Sequence, residues 1–278
     1  MGSVENKGVE LSITTRNIVR NNFRWTTNFN FSFNKNTVLK LGSDDTPIPQ
    51  GFTLLTNTIQ VGAPINSLML YKAVGVYQTA ADLANYPKAA TMKVGDSRYE
   101  DVNGDGIISV LDRQLAGNPT PDKTYGMTND VTYGRFNLRV VAFAQTGGVV
   151  YSMIGRSIDR SGMGYLYNKL STWTNRWQSE AVPGNGSVPS INATTGGFFD
   201  TRWLYSSDYL RLKNITLSYN LPKFGTVSSA RVYGTIENPY IWHKYYGGLT
   251  PEAANNEGGD YGGYPQARTF TFGLQVTF

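Results

Sequence analysis

Along the stretch Arg268 to Phe278, Phe270, Phe272, Leu274, Val276 and Phe278 take every second position, and Thr269, Thr271, Gly273, Gln275 and Thr277 fill the positions between. In an extended chain successive side chains point to opposite faces, so this stretch reads as a strand with one apolar and one uncharged polar face. A membrane barrel strand has this alternation, and so does a strand of a soluble sandwich. The aromatic at the very end of the stretch favours the barrel, because an apolar stripe ending on phenylalanine needs a partner to cover it.

The same period recurs upstream. Val9, Leu11 and Ile13 alternate with polar residues and predict a first strand ending near Arg16 and Asn17. Phe23, Trp25, Phe29, Phe31 and Phe33 share one face of a second strand, and Arg24, Thr26, Asn28, Asn30, Ser32 and Asn34 the other, after a hairpin-length turn. Five large aromatics on one face suit acyl chains better than a core of ordinary width. A second hairpin is expected over 125–133 and 136–145, a strand over 209–221 ended by Pro222, and another over 230–237. Between these strands stand long stretches at 36–67, 147–207 and 238–266, read as loops. A short strand is expected at 58–61, a helical turn capped by Thr79 and stopped by Pro87, and helix-compatible spacing over 165–177. Short turns alternating with long loops are the asymmetry of outer-membrane barrels.

Composition sharpens this picture. Only 16% of the 278 residues are charged, while 18 Tyr, 13 Phe and 5 Trp make the chain aromatic-rich, a profile that suits a β protein partly in lipid. The net charge of +5 is spread along the chain, which argues against a nucleic-acid partner. There is no cysteine, so disulfides, thiolate metal sites and cysteine nucleophiles are excluded. No window approaches the ~18 consecutive apolar residues of a membrane helix, whereas a barrel strand needs only ~9 to 11. Met1 is followed by Gly-Ser-Val-Glu-Asn-Lys-Gly, in which no export signal is read, and the expectation is that the chain is incomplete.

One motif carries chemistry. Asp101, Asn103 and Asp105 occupy the first, third and fifth positions of a calcium-loop pattern, with Gly106 at the sharp turn, the Ile107 carbonyl at the seventh position and Asp112 where a bidentate glutamate is usual. Two readings stand: bound calcium, or a metal-free loop in which the same side chains accept backbone amides. In both, the loop pins a long excursion. Catalysis is not expected, because no acid or base adjoins the motif and the single histidine, His243, has no nucleophile context. Aromatic clusters stand at Tyr165, Tyr167, Trp173 and Trp177, at Trp203 and Tyr205, and at Tyr240, Trp242, Tyr245 and Tyr246. They read as girdle or loop-packing residues, or alternatively as stacking platforms for a sugar or peptide. On the second reading Trp173, Trp177, Trp203, Tyr240, Trp242 and Tyr245 are the candidate substrate residues.

A set of local motifs resembles a known family. Val4-Glu-Asn-Lys-Gly-Val-Glu10, Tyr99-Glu-Asp-Val-Asn-Gly-Asp-Gly-Ile-Ile108 followed by Asp112-Arg113 and Gly117-Asn-Pro-Thr-Pro121, and Tyr125-Gly126 come first. Tyr209-Leu-Arg-Leu-Lys-Asn214, Glu237-Asn-Pro239, Gly248-Leu-Thr-Pro-Glu252 and Tyr264-Pro-Gln-Ala-Arg-Thr-Phe270 follow. Together, and in this order, they resemble the carboxy-terminal part of the SusC/RagA family of TonB-linked outer-membrane transporters. The resemblance implies an all-β fold of antiparallel transmembrane barrel strands with long extracellular loops. It implies that residues 1–278 are the carboxy-terminal part of the barrel, without the plug domain and earlier strands of a barrel of about 22 strands. It further implies location in the outer membrane, a SusD-like lipoprotein and TonB as partners, and an oligosaccharide or peptide as cargo. A self-contained small barrel, porin or adhesin, and a soluble glycan-binding β module are the alternatives.

Overall fold

The computed structural model describes residues 2–50, 57–162, 168–223 and 225–278. Seven long strands form one antiparallel sheet in chain order: β1 (Ser3–Arg20), β2 (Phe23–Lys40), β3 (Lys123–Tyr133), β4 (Phe136–Thr146), β5 (Tyr209–Leu221), β6 (Ser229–His243) and β7 (Thr269–Thr277). The sheet is open, with β1 and β7 as its edges. Three connections are short, at 21–22, 134–135 and 222–228, and three are long, at 41–122, 147–208 and 244–268. Gly134 supplies the positive φ of 57° that a two-residue hairpin turn needs at its first position.

Register turns the alternation of each strand into two continuous faces. Ile18, Trp25, Val131, Leu138, Leu217, Gly234 and Phe272 are paired in succession across all seven strands. Thr14, Asn28, Thr128, Val141, Asn214, Glu237 and Thr269 form a corresponding row on the opposite face. Phe272 is 84% exposed and Leu217 52%, so the apolar face has no protein covering it in this chain. One polar inlay interrupts it: Thr15 donates to Asn17, Asn17 to Thr27, and both Thr27 and the Trp25 indole to Asn129. These groups satisfy one another, which limits the cost of their position on an apolar face.

The strand expectations hold at 9–14, 23–34, 125–145, 209–221 and 269–277, with three differences. First, β1 and β2 each run for 18 residues, well beyond the predicted lengths. Second, a bulge at Lys213 shifts the register, since Val141 pairs with Asn214 but Ala142 with Leu212. The apolar parity of 215–221 therefore reverses, and Leu210 and Leu212 join the apolar face. Third, β6 does not stop at Glu237 but continues to His243 through Asn238 and Pro239, so Tyr240 to His243 is strand rather than loop. Asn238 takes a left-handed φ of 52° there. Proline is tolerated because β7 pairs with β6 only as far as Glu237, beyond which no ladder donor is required on that edge.

The long connections are not loose loops. Ile48–Gln50, Asn57–Ile59, Ser67–Tyr71 and Arg113–Gly117 form one small sheet, and Ala73–Val76 pairs with Ser97–Tyr99. Val149–Ser152, from the second long connection, pairs with Leu204–Ser206 and, in parallel, with Gly259–Asp260 of the third. The Tyr71 amide donates to the Phe199 carbonyl and the Val149 amide to the Asn118 carbonyl, which ties the first connection to the second. Asn57 and Asn66 donate to the carbonyls of Glu257 and Asn256 and tie it to the third. Helix α1 (Ala80–Asn85) starts at Thr79 with a capping box completed by Asp82, as the sequence predicts, and ends just before Pro87. Helix α2 (Met153–Asp159) has no counterpart among the predicted elements, and only a 3-10 turn, Ser171–Asn175, falls in the described part of the stretch expected to be helix-compatible.

Two apolar clusters support this cap. Leu68, Leu70, Tyr151 and Met153 form one, with Phe199, Trp203 and Leu204 against them; Tyr71, Tyr77, Met92, Tyr99 and Ile108 form the other. Gly196 lies so close to Ser161 that an added Cβ would stand 2.1 Å from the Ser161 carbonyl oxygen. Gly196→Ala is expected to destabilise the cap by about 1–3 kcal/mol, seen as faster amide exchange around 156–200 with the exchange of β1 to β7 unchanged.

Candidate functional site

The Asp101 to Asp112 loop is closed by its own backbone. Asp101 accepts from the amides of Gly104 and Gly106, at 2.8 and 2.9 Å; Asn103 accepts from Asp105, and Asp105 from Ile107. Asp112 is fully buried and accepts from Val102 and Ser109, at 3.0 and 2.7 Å. Gly104 and Gly106 hold the positive φ values of 74° and 78° that let the chain double back. The candidate calcium ligands are thus brought into one loop, but both oxygens of Asp101 and of Asp112 are turned onto amides. Among the described residues no three acidic or histidine side chains gather into a metal cage. These bonds close the turn on itself, with Ile108 buried beneath it as an anchor.

The candidate aromatic residues are not brought together into one cluster. Trp173 is buried, with Lys169 Nζ 5.0 Å from its ring centre. Trp177 donates to the Gln78 carbonyl and its ring fills the space beside Gly95. Trp203 packs on the Leu68 and Tyr151 cluster, and Tyr245 is buried with its hydroxyl donating to Asp260 at 2.6 Å. Tyr240 and Trp242 sit apart from these on β6, on the apolar face, with ring centres 4.7 Å from each other. Their positions follow from the bulged register of β5 and β6, which simple alternation does not reveal. Tyr165 and Tyr167 lie outside the described residues. His243, at the end of β6, accepts from the Tyr245 amide through Nδ1 and has no nucleophile or acid partner among the described residues.

One knot of buried charge inside the cap centres on Asp200. Asp200, fully buried, accepts from the Arg202 guanidinium at 2.7 Å and from the Tyr99 hydroxyl at 3.0 Å. Arg156 lies with its guanidinium 4.0 Å from the Phe199 ring centre and donates to the carbonyls of Gly196 and Gly197. Burial, and secondarily the Asp200 carboxylate, pushes the Tyr99 hydroxyl well above the ordinary tyrosine range. Burial pushes Tyr77 up to about 12 and Tyr151 and Tyr245 higher still. Every group in the knot has a packing or pairing role. The arrangement offers no nucleophile poised beside a base.

What remains open to a solute is the polar face of the sheet. Asn, Thr, Ser and Gln side chains dominate it, with Arg24, Arg139, Asp130, Arg231 and Glu237 as its charges along β2 to β6. Arg139 is fixed by a two-point bond to Asp130, at 2.8 and 3.2 Å. At the cap end Arg211 is buried against Glu252, 2.6 Å away. Composition and spacing forecast this face as polar; they do not forecast the Arg211 to Glu252 pair, whose partners lie on β5 and on the third long connection.

No family model matches the chain. Over its whole length it is 34% identical to TonB-dependent receptor P3 of Formosa agariphila and 30% identical to TonB-dependent receptor SusC of Bacteroides thetaiotaomicron. It covers 29% and 27% of these relatives, so it spans less than a third of their length. The fold superposes on the solved RagAB peptide transporter with a TM-score of 0.82 at 22% identity, covering all of this chain and 30% of that one. It likewise matches the RagAB peptide importer in its closed-closed state, with a TM-score of 0.81 at 23% identity.

Two outcomes follow for the cap. Asp112→Ala leaves the Val102 and Ser109 amides unpaired and is expected to cost about 1–3 kcal/mol for each, measured as faster proteolysis within 101–112; repeating the digestion with calcium and with a chelator reads any cation dependence directly. For pH, the unfolded tyrosines release their protons near pH ~10, whereas Tyr77, Tyr99, Tyr151 and Tyr245 hold theirs to higher pH in the cap. Their contribution is therefore fully present below the unfolded pKa and lost as pH rises above it, because the unfolded chain then binds fewer protons. Tyrosinate absorbance from these four should appear together with loss of cap structure in an alkaline titration.

Proposed function

We infer that this chain is the carboxy-terminal part of an outer-membrane TonB-dependent receptor of the SusC/RagA family, supplying seven strands of its barrel wall and a cap over one end. The observation that carries the reading is the pair of faces: an unbroken apolar row from Ile18 to Phe272 on one side of the sheet and polar rows on the other. A wall between lipid and a watery lumen needs this division, with each backbone group paired within the sheet. In water the same apolar face would be an exposed patch far larger than soluble monomers carry, which disfavours a soluble glycan-binding module. An independent small barrel is disfavoured by the open order from β1 to β7.

In the intact receptor the short turns face the periplasm and the cap faces outward, as in outer-membrane barrels generally. The cap and the polar face then form part of the route taken by an oligosaccharide or peptide. A SusD-like lipoprotein on the cap side and TonB on the other are the partners this reading calls for. On this reading the receptor moves its cargo, in keeping with relatives that are receptors.

The experiment is a charge placed on each face. Leu217→Arg, at the middle of the apolar face, is expected to destabilise the receptor in lipid vesicles by about 2–4 kcal/mol. Ser32→Arg, on the polar face, is expected to change stability by less than about 1 kcal/mol. Equal effects in urea unfolding would overturn the assignment of the two faces.

A further inference from the structure

On the polar face, close to the short turns, a hollow of about 370 Å³ is lined by Asp130, Asn137, Arg139, Ser218, Asn220 and Arg231, among others. Register places Thr132, Asn137, Ser218 and Tyr233 in one row, with Arg24 at its β2 end, and Asn220 opposite Arg231 in the next. Charge here is uneven. Asp130 is spent on Arg139, while neither Arg231 nor Arg24 has an acidic partner among the described residues. The Tyr233 ring, 5.8 Å from the Arg231 guanidinium, is the neighbour of that charge. A second observation points the same way: Ser218 lines the hollow, its residue is 3% exposed, and its hydroxyl has no hydrogen-bond partner. A buried hydroxyl without a partner carries a desolvation cost that an incoming acceptor would relieve.

We propose that Arg231 and Ser218 form a carboxylate-binding site on the lumen wall. The guanidinium presents a planar pair of N–H donors that matches the two oxygens of a carboxylate, and the serine hydroxyl supplies another donor from the adjacent row. Arg139, whose charge is already paired with Asp130, holds the wall's geometry and is not the recognising cation. A carboxylate could arrive here from the portion of the receptor that this chain does not include, or from a diffusible ligand in the lumen. The site rests on the barrel-wall reading above, so its test first confirms that the receptor is inserted.

The test uses the full-length receptor that carries this chain, reconstituted in lipid, with Arg231→Met, Arg231→Lys and Ser218→Ala. Insertion is checked by the heat-modifiable mobility of a folded barrel; a wild-type protein that fails this check counts against the barrel-wall reading, not against the site. Two readouts follow, calorimetric titration with succinate and the rate of protease cutting in the part of the receptor upstream of this chain. If the carboxylate is diffusible, wild type binds succinate and Arg231→Met weakens binding about tenfold. If it belongs to the receptor, succinate does not bind, and Arg231→Met speeds upstream cutting about fivefold with partial rescue by Arg231→Lys. In both cases Ser218→Ala shifts the same readout in the same direction by a smaller factor, and it serves alone if Arg231→Met does not insert. The proposal is overturned if these variants leave both readouts unchanged in an inserted receptor, or if Ser218→Ala only stabilises the protein, as removal of a hydroxyl that never finds a partner would.

Discussion

A strand that separates lipid from water must present opposite chemistry on alternate residues while losing none of its backbone hydrogen bonds; register meets both demands wherever two of the strands β1 to β7 are paired, while the outer edges of β1 and β7 and the end of β6 beyond Glu237 stand open. Because neighbours in a row share a face, one misplaced residue would carry a charged or hydroxylated side chain into the apolar row on both adjoining strands. The sheet therefore tolerates irregularity only where it corrects something. The bulge at Lys213 does so: it moves Leu210 and Leu212 outward and leaves Arg211 facing inward, where Glu252 meets it beneath the cap. Asn238 and Pro239 accomplish a similar adjustment on β6 at the level where its partner β7 has ended.

The cap obeys a different rule. Its segments are too short to bury an apolar face alone, so they borrow partners from other connections. Tyr151 shows the dependence, since it lies fully buried against Leu68 and Leu70 of the first connection and pairs with Gly259 of the third. Polar groups fill the gaps between these borrowed contacts: Asp200 gathers Arg202 and Tyr99, Asp260 takes the Tyr245 hydroxyl, and Asp112 closes its own loop. Their burial keeps the tyrosines protonated and holds the cap's shape without a disulfide.

What is legible in the sequence divides along the same line. Phe23 to Phe33 and Phe270 to Phe278 announce their strands because a period of two needs only local sequence, and Thr79 announces α1 because its cap is made with Asp82, three residues away. Lys213 carries no such signal: a bulge is visible only once the neighbouring strands fix the register. Tyr240 and Trp242 read as loop residues because Pro239 commonly ends a strand, and the exemption comes from the length of β7. Within the candidate site, Asp101 to Asp112 is legible as a closed loop, which Asp101 and Asp112 hold by accepting backbone amides. The Trp and Tyr clusters are legible only as aromatic, because whether a ring packs or stands free depends on contacts as distant as Trp177 with Gly95. Arg231 and Ser218 lie in unremarkable alternating strands, and only the pairing of β5 with β6 brings them together.

The cap's weaving has a further consequence, for how such a surface can change over time. Asn57 reaches 200 positions along the chain to the Glu257 carbonyl, and Val149–Ser152 bridges two other segments. An insertion in one connection therefore alters the surroundings of the other two, and a swap of any single connection between relatives leaves unmatched edges on the remainder. Innovation in this region would travel as a block: the heritable unit is the whole woven cap, and the seven strands beneath it form the socket into which a different cap could be set.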